Sequence, residues 1–247
     1  MIAKKCNKSN KINVRVLTNK IIIKGKKMKK IITICITSLL LMVNSNAEIS
    51  VGISGTALYY DASGEETVKS SGTKNSKSDS GVVPIASFFI ETELDTGVTV
   101  GLDVVPYGAK VADFNNARTD TDTDDAADTA GNNKGDVNFK NLVTLYGKTD
   151  LANGMFAKFG VSRMTVETDE SVATGSTYGD EDIMGITLGL GTERDLDNGA
   201  FMRVEGQVSR FQGATFDGTA DANSVKNKIE LDDFTTAGIK FSIGKSF

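Results

Sequence analysis

Histidine and tryptophan are absent from this 247-residue chain, and cysteine occurs only at Cys6 and Cys35. Without histidine, Ser–His and Asp–His catalytic mechanisms are unavailable. Carboxylates alone would have to meet substrate inside a packed interior, so no enzyme activity and no cofactor are expected. The longest apolar run, Ile31 to Val43, falls short of the ~20 residues a membrane-spanning helix needs. A helical membrane protein is thereby excluded. Acidic residues are missing from positions 1–47, a stretch that holds 11 of the 28 basic residues.

That stretch reads as an export signal. Lys29 and Lys30 precede the apolar run, and Ser45-Asn46-Ala47 supplies the small residues of a cleavage site. Residues 28–47 are assigned as the signal peptide, with Met28 as the expected start. Residues 1–27 are an extension expected to be untranslated or disordered. Cys35 does not mark a lipoprotein, because Ile32-Thr33-Ile34 lacks the small residues such a site requires. Both cysteines lie upstream of the cleavage, so the mature chain has no disulfide or thiol chemistry. It keeps 17 basic and 32 acidic residues, a net charge of −15. Nucleic acid, which requires the opposite sign, is excluded as a partner.

From Glu48 onward, alternating segments of strand length recur. Ile49, Val51, Ile53, Ala57 and Tyr59 share one face, and Ser50, Gly52, Ser54 and Thr56 the other. Ala86, Phe88 and Ile90 oppose Ser87, Glu91 and Glu93; Val98, Val100, Leu102 and Val104 oppose Thr99, Gly101 and Asp103. The fourth segment is irregular. Phe139, Val143 and Leu145 are set against Lys140, Thr144 and Lys148, with Asn141 and Leu142 breaking the period. Ala157, Phe159 and Val161 follow against Lys158 and Gly160, and then Met184, Ile186, Leu188 and Leu190 against Gly185, Thr187 and Gly189. Met202, Val204 and Val208 oppose Arg203, Glu205 and Gln207. The eighth segment sets Ile239, Phe241, Ile243 and Phe247 against Lys240, Ser242, Gly244 and Ser246.

Three connections are tight and rich in Asp, Asn and Gly: Leu94–Gly97, Asp150–Gly154 and Asp195–Gly199. Four long polar stretches, near 61–83, 106–136, 167–182 and 212–233, alternate with them. Such a chain closes as an antiparallel up-and-down β-barrel, because lipid offers no hydrogen bonds to an open edge. In topology, loop rhythm and a last strand ending on Phe247, residues 48–247 resemble the small eight-stranded outer-membrane barrels of the OmpA-barrel, OmpX and OmpW type. The resemblance implies an all-β transmembrane barrel in the outer membrane with no further periplasmic domain. It also makes Phe241, Ile243 and Phe247 the signal read by the barrel assembly machinery. With no tryptophan, the interfacial belts fall to Tyr59, Tyr60, Tyr107, Phe211 and Phe234 on one side, and to Phe156, Phe201 and Phe247 on the other.

The expected lumen charges are Glu91, Glu93, Asp103 and Glu205 with Lys140, Lys148, Lys158, Arg203 and Lys240. In a barrel of eight strands they should form a paired core that fills the interior; the alternative is a small cation-preferring porin. The long stretches hold 22 acidic and 8 basic residues. Asp120, Asp122 and Asp124 are weak candidates for divalent cations, since the run departs from a calcium loop at Asp125 and Gly131. Arg163 and Arg210 sit at headgroup height, where they either contact lipopolysaccharide phosphates or snorkel. Gly244-Lys245-Ser246 lacks the context of a phosphate loop. The sequence therefore reads as a monomeric barrel with a structural or surface-interaction role such as adhesion, displaying four acidic loops.

Overall fold

The computed structural model describes residues 48–68, 73–120, 129–171, 177–219, 227–232 and 234–247. The expected extension and signal peptide lie outside them. Eleven strands are present among the described residues: β1 (Ile49–Val68), β2 (Thr73–Glu93), β3 (Val98–Val104), β4 (Ala109–Asp120), β5 (Thr129–Asp150), β6 (Met155–Ser171), β7 (Glu181–Asp195), β8 (Ala200–Phe211), β9 (Ala214–Asp217), β10 (Lys228–Leu231) and β11 (Phe234–Ser246).

Eight of them close a ring in the order β1-β2-β3-β5-β6-β7-β8-β11, with β11 pairing back onto β1 from Ser50↔Ser246 to Asp61↔Thr235. Every neighbouring pair in the ring is antiparallel. At the seam of closure, Phe247 donates its N–H to the Ile49 carbonyl at 2.9 Å. The chain is thus an eight-stranded antiparallel barrel, and all eight alternating segments are strands of its wall.

The tight connections form as their residues dictate. Asn153 and Gly154 have φ of 62° and 70°, and Asn198 and Gly199 repeat this at 64° and 73°. Asn and Gly are the residues that tolerate the left-handed region. Leu151 and Leu196 close these turns by donating to the Met155 and Ala200 carbonyls at 2.7 Å.

On the other side, the long polar stretches are largely strand rather than irregular loop. β1 and β2 run as one hairpin past the barrel rim, in register from Ile49↔Thr92 to Val68↔Thr73. β4 pairs only the upper part of β5, and β9 and β10 pair each other while β10 also pairs β1. Period 2 reads poorly in these polar hairpins because neither face is apolar.

Outward side chains of the wall are apolar and bare: Ile53, Phe88, Phe159, Leu190, Ile239 and Phe241 are each more than half exposed. A continuous belt of that kind needs hydrocarbon around it. The aromatic belts are a correction. Tyr60, Phe156, Phe201, Phe211 and Phe234 all turn inward and are buried, while Tyr59, Tyr107 and Phe247 remain exposed. In β1, Tyr60 has the parity of the inward Ser54, Thr56 and Leu58, which is why it cannot serve the interface.

The wall has one interruption. β2 pairs β3 only between Phe88↔Val104 and Glu93↔Thr99; above that, among the described residues, β2 pairs only β1 and β4 pairs only β5. The chain's two prolines sit here. Pro106 separates β3 from β4, and Pro84 lies on the β2 edge. Ala86 donates its N–H toward this edge, to the Tyr107 hydroxyl. Alternate residues point the same way, so residue 84 faces the gap with no N–H to offer. Tyr107 thus latches a seam that the backbone leaves unpaired. Replacing it with Phe removes the acceptor of Ala86, a loss of about 1 kcal/mol felt locally. Hydrogen exchange should then quicken at Ala86 while the β5–β6 amides stay unchanged.

Candidate functional site

Every second residue of the wall points into the lumen, and from the turn side outward these residues form three layers. The first is ionic. Arg203 on β8 crosses the lumen to grip Glu91 on β2, with Nη1 and Nη2 donating to the two carboxylate oxygens at 2.8 and 3.0 Å. Its Nε donates to Glu193 on β7 at 2.7 Å, and Lys148 on β5 reaches the same carboxylate at 3.0 Å. The Tyr146 hydroxyl donates to Glu91 at 2.6 Å. Three phenylalanine rings, Phe89, Phe156 and Phe201, surround the guanidinium with centroids 5.1–5.4 Å away. Just above, Lys158 pairs Glu205 and Lys240 pairs Asp103.

Four carboxylates and four cations thus neutralise one another in the interior. Arg203, Glu91, Glu205, Lys148, Lys158 and Lys240 are all buried. Charges out of water persist only with partners of this quality.

The second layer is a belt of hydroxyls. Thr144, Ser162, Thr187 and Ser209 are linked across β5, β6, β7 and β8 at 2.8, 2.6 and 2.8 Å, and Ser54 meets Ser242 at 2.8 Å. The third layer is apolar. Met164, Val166, Ile183, Phe211, Phe216 and Phe234 form one buried cluster, and Leu58, Ile85 and Val105 a second. Phe139 and Phe211 stack on either side of Phe234, with centroids 5.1 and 4.9 Å away.

Between belt and apolar layer lies a cavity of about 40 Å³, lined by Ile85, Val105, Leu142 and Met164 above and by Ser87, Asp103, Lys158 and Lys240 below. It has room for about two or three waters. The Ser87 hydroxyl is buried at its wall with no protein partner among the described residues.

Of the expected lumen charges, Glu91, Asp103, Lys148, Lys158, Arg203, Glu205 and Lys240 converge in the ionic layer. Glu93 keeps the inward parity but lies exposed at the turn-side mouth. Lys140 is a correction. A β-bulge between Lys140 and Val143, with Asn141 at φ 54°, places two residues opposite one on β6. Below the bulge Val143 faces outward; above it Lys140 does, opposite Thr165, and pairs Glu167 on the outer face. Phe139 is turned inward by the same step and joins the apolar cluster. Two members of the ionic layer were missed in the sequence, Glu193 and Tyr146. Both lie on the inward parity of their strands.

Arg163 faces outward but is engaged by Asp182 at 2.5 Å, and Thr165 donates to the same carboxylate at 2.8 Å. Arg210 is outward and exposed near the end of β8. Phe241 and Ile243 lie outward on β11, with Phe247 just beyond its end. Asp120 ends β4; its side chain, like the whole of Asp122 and Asp124, lies outside the described residues. Among the described residues no group of three acids is placed to hold a metal.

The rest of the outer hairpin charge is partly self-paired. Lys110 reaches Asp136 at 2.8 Å and Lys74 reaches Glu65 at 2.5 Å. That bond holds the Lys74 ammonium above its ordinary range, despite slight desolvation. Glu181 goes the other way for a carboxylate: partial burial, with Asp182 and Asp217 near it, pushes it up.

No family model matches the chain, and no curated protein matches it. Solved structures do. The outer membrane protein AlkL, determined in lipid bilayers, aligns at a TM-score of 0.50 with 12% identity over 81% of this chain and 90% of that one. OprG of Pseudomonas aeruginosa aligns at 0.45, with 13% identity over 80% and 95%. The protease OmpT of Escherichia coli aligns at 0.49, with 11% identity over 81% and 97%. At such identities the AlkL match shows the fold: this chain has the architecture of the small outer-membrane β-barrel proteins.

Proposed function

We propose, taking the outer-membrane barrel as the premise, that this protein is an ion-tight wall element whose work is done on its outer hairpins. It reaches the membrane by a cleaved signal peptide and acts as a monomer. The observation that carries this reading is the neutral ionic layer, Glu91–Arg203–Glu193–Lys148, backed by an apolar layer above it. A water-filled cation path would need one sign of charge facing open space. Here each lumen cation meets a carboxylate, so a small porin is disfavoured. The total absence of histidine argues against a hydrolase. What the molecule offers to its surroundings is an acidic set of hairpins, 22 acids against 8 bases.

Acidic surfaces next to phosphorylated lipid associate through divalent cations rather than directly. Vesicles containing lipopolysaccharide and the 48–247 chain should therefore cluster at millimolar magnesium and disperse on chelation. Exchanging the hairpin aspartates and glutamates for Asn and Gln should abolish the effect. Clustering that ignores that exchange would overturn the proposal.

A further inference from the structure

The cavity between the hydroxyl belt and the apolar layer has two unlike walls. Ile85, Val105, Leu142 and Met164 close it above, whereas Asp103, Lys158 and Lys240 meet hydroxyls at its floor. That floor holds more donors than the protein absorbs. An ammonium carries three N–H groups. Lys158 is paired with one carboxylate, Glu205, and Lys240 with one, Asp103, so each keeps at least one N–H over. The belt hydroxyls of Thr144, Ser162, Thr187 and Ser209 have four protons and share three bonds, which leaves one O–H to donate elsewhere. The Ser87 hydroxyl, 3% exposed, has no partner at all among the described residues.

We infer that this cavity is a built water site, in which two or three ordered waters bond to Ser87 and to the Lys158 and Lys240 ammonium groups. Three features select water over other occupants. The charges at the floor cancel, two ammonium groups against Asp103 and Glu205, so an ion of either sign would be buried without a counter-charge. An apolar guest would suit the upper wall but leave the floor donors unmet. The volume, about 40 Å³, matches about two or three waters, and a water both donates and accepts, as a floor of ammonium, carboxylate and hydroxyl requires. The waters therefore complete the hydrogen bonding of two ion pairs that lie directly beneath an apolar ceiling. They are bracketed by the Arg203 layer below and the Phe234 cluster above.

The inference concerns the lumen alone and does not depend on what the hairpins bind. Its test is methyl-detected NMR of the folded 48–247 chain in lipid nanodiscs, with water and xenon as the probes. Magnetisation should pass from water to the inward methyls of Ile85, Leu142 and Met164. The outward methyls of Ile53, Leu190 and Ile239, which are exposed on the lipid-facing wall, should receive none. Pressurised xenon, which enters dry cavities, should leave the inward methyl shifts unchanged. Ser87→Ala removes one of the about three partners a buried water keeps, and should cut the transfer by roughly a third or more. Replacing Lys240 with Met together with Asp103 by Leu makes the floor apolar, so the transfer should vanish and xenon should enter. Heat-modifiable gel migration reports folding, and either variant suffices if the other does not fold. Xenon uptake by the unaltered protein, or inward methyls as silent to water as the outward ones, would overturn the assignment.

Discussion

Replacing Arg203 with Ala should destabilise the barrel by about 3–5 kcal/mol, the cost of leaving buried carboxylates without their cation. Arg203 is 4% exposed and bridges Glu91 and Glu193. Its removal also strips the Phe89 and Phe201 rings of their cation and leaves Phe156 with Lys148 alone. Urea unfolding of the mature chain in vesicles, followed by gel migration, reads the loss. Lysine should not restore it, since one ammonium cannot serve both carboxylates with a planar fork. Adding Glu91→Gln to the Arg203 variant should return much of the stability, because the stranded carboxylate is then gone while Glu193 keeps Lys148. An Arg203→Ala barrel as stable as the parent would mean that water fills this layer and screens it.

The second large effect lies in glycines that face those rings. A Cβ at Gly52 would collide with the Phe89 ring and with the Ile243 carbonyl oxygen. Gly244 lies against Phe201 and Gly191 against Phe156 in the same way. The tip of each ring around Arg203 therefore reaches over the glycine directly opposite it on the neighbouring strand, and the missing side chain there gives the ring its room. Gly52→Val meets backbone as well as side chain, so the wall must shift. An overpacked interior of this kind costs about 1–3 kcal/mol, and the displaced Phe89 ring also loosens Arg203. Thermal conversion of the folded to the unfolded gel band should occur at clearly lower temperature. Gly55→Val is the control: it sits on the outer face with nothing near its Cβ, and should leave the conversion unchanged.

How much of this was legible in the sequence follows from where period 2 has a physical reason to hold. Between the rims, one face of every strand meets lipid and the other a packed lumen. The alternation is forced there, and strand number and facing could be read directly. Asn-Gly at 153–154 and 198–199 announced its turns because few other residues accept positive φ. Glu193 lies two further steps along the alternation of β7, beyond its last apolar residue, and Tyr146 lies between Thr144 and Lys148 on the inward face of β5, where a neutral aromatic residue does not announce an ionic layer.

The bulge is different. Asn141 and Leu142 did break the period, but a break does not say which way the chain resumes. Lys140 and Phe139 thus fell on the wrong faces. The apolar layer was illegible for another reason: Met164, Val166 and Phe234 point inward above the rim, where an inward apolar residue looks like a misplaced lipid-facing one. The seam carried its own signal in Pro84 and Pro106, since proline on a central strand lacks the donor that pairing needs.

The most direct test of the sealed lumen is single-channel conductance of the refolded 48–247 chain in a planar bilayer, with gel migration proving that the barrel has closed. The account predicts folded protein with no stable conductance steps in molar salt. Stable cation-selective steps from the unaltered protein would contradict it and make the lumen, not the hairpins, the working surface.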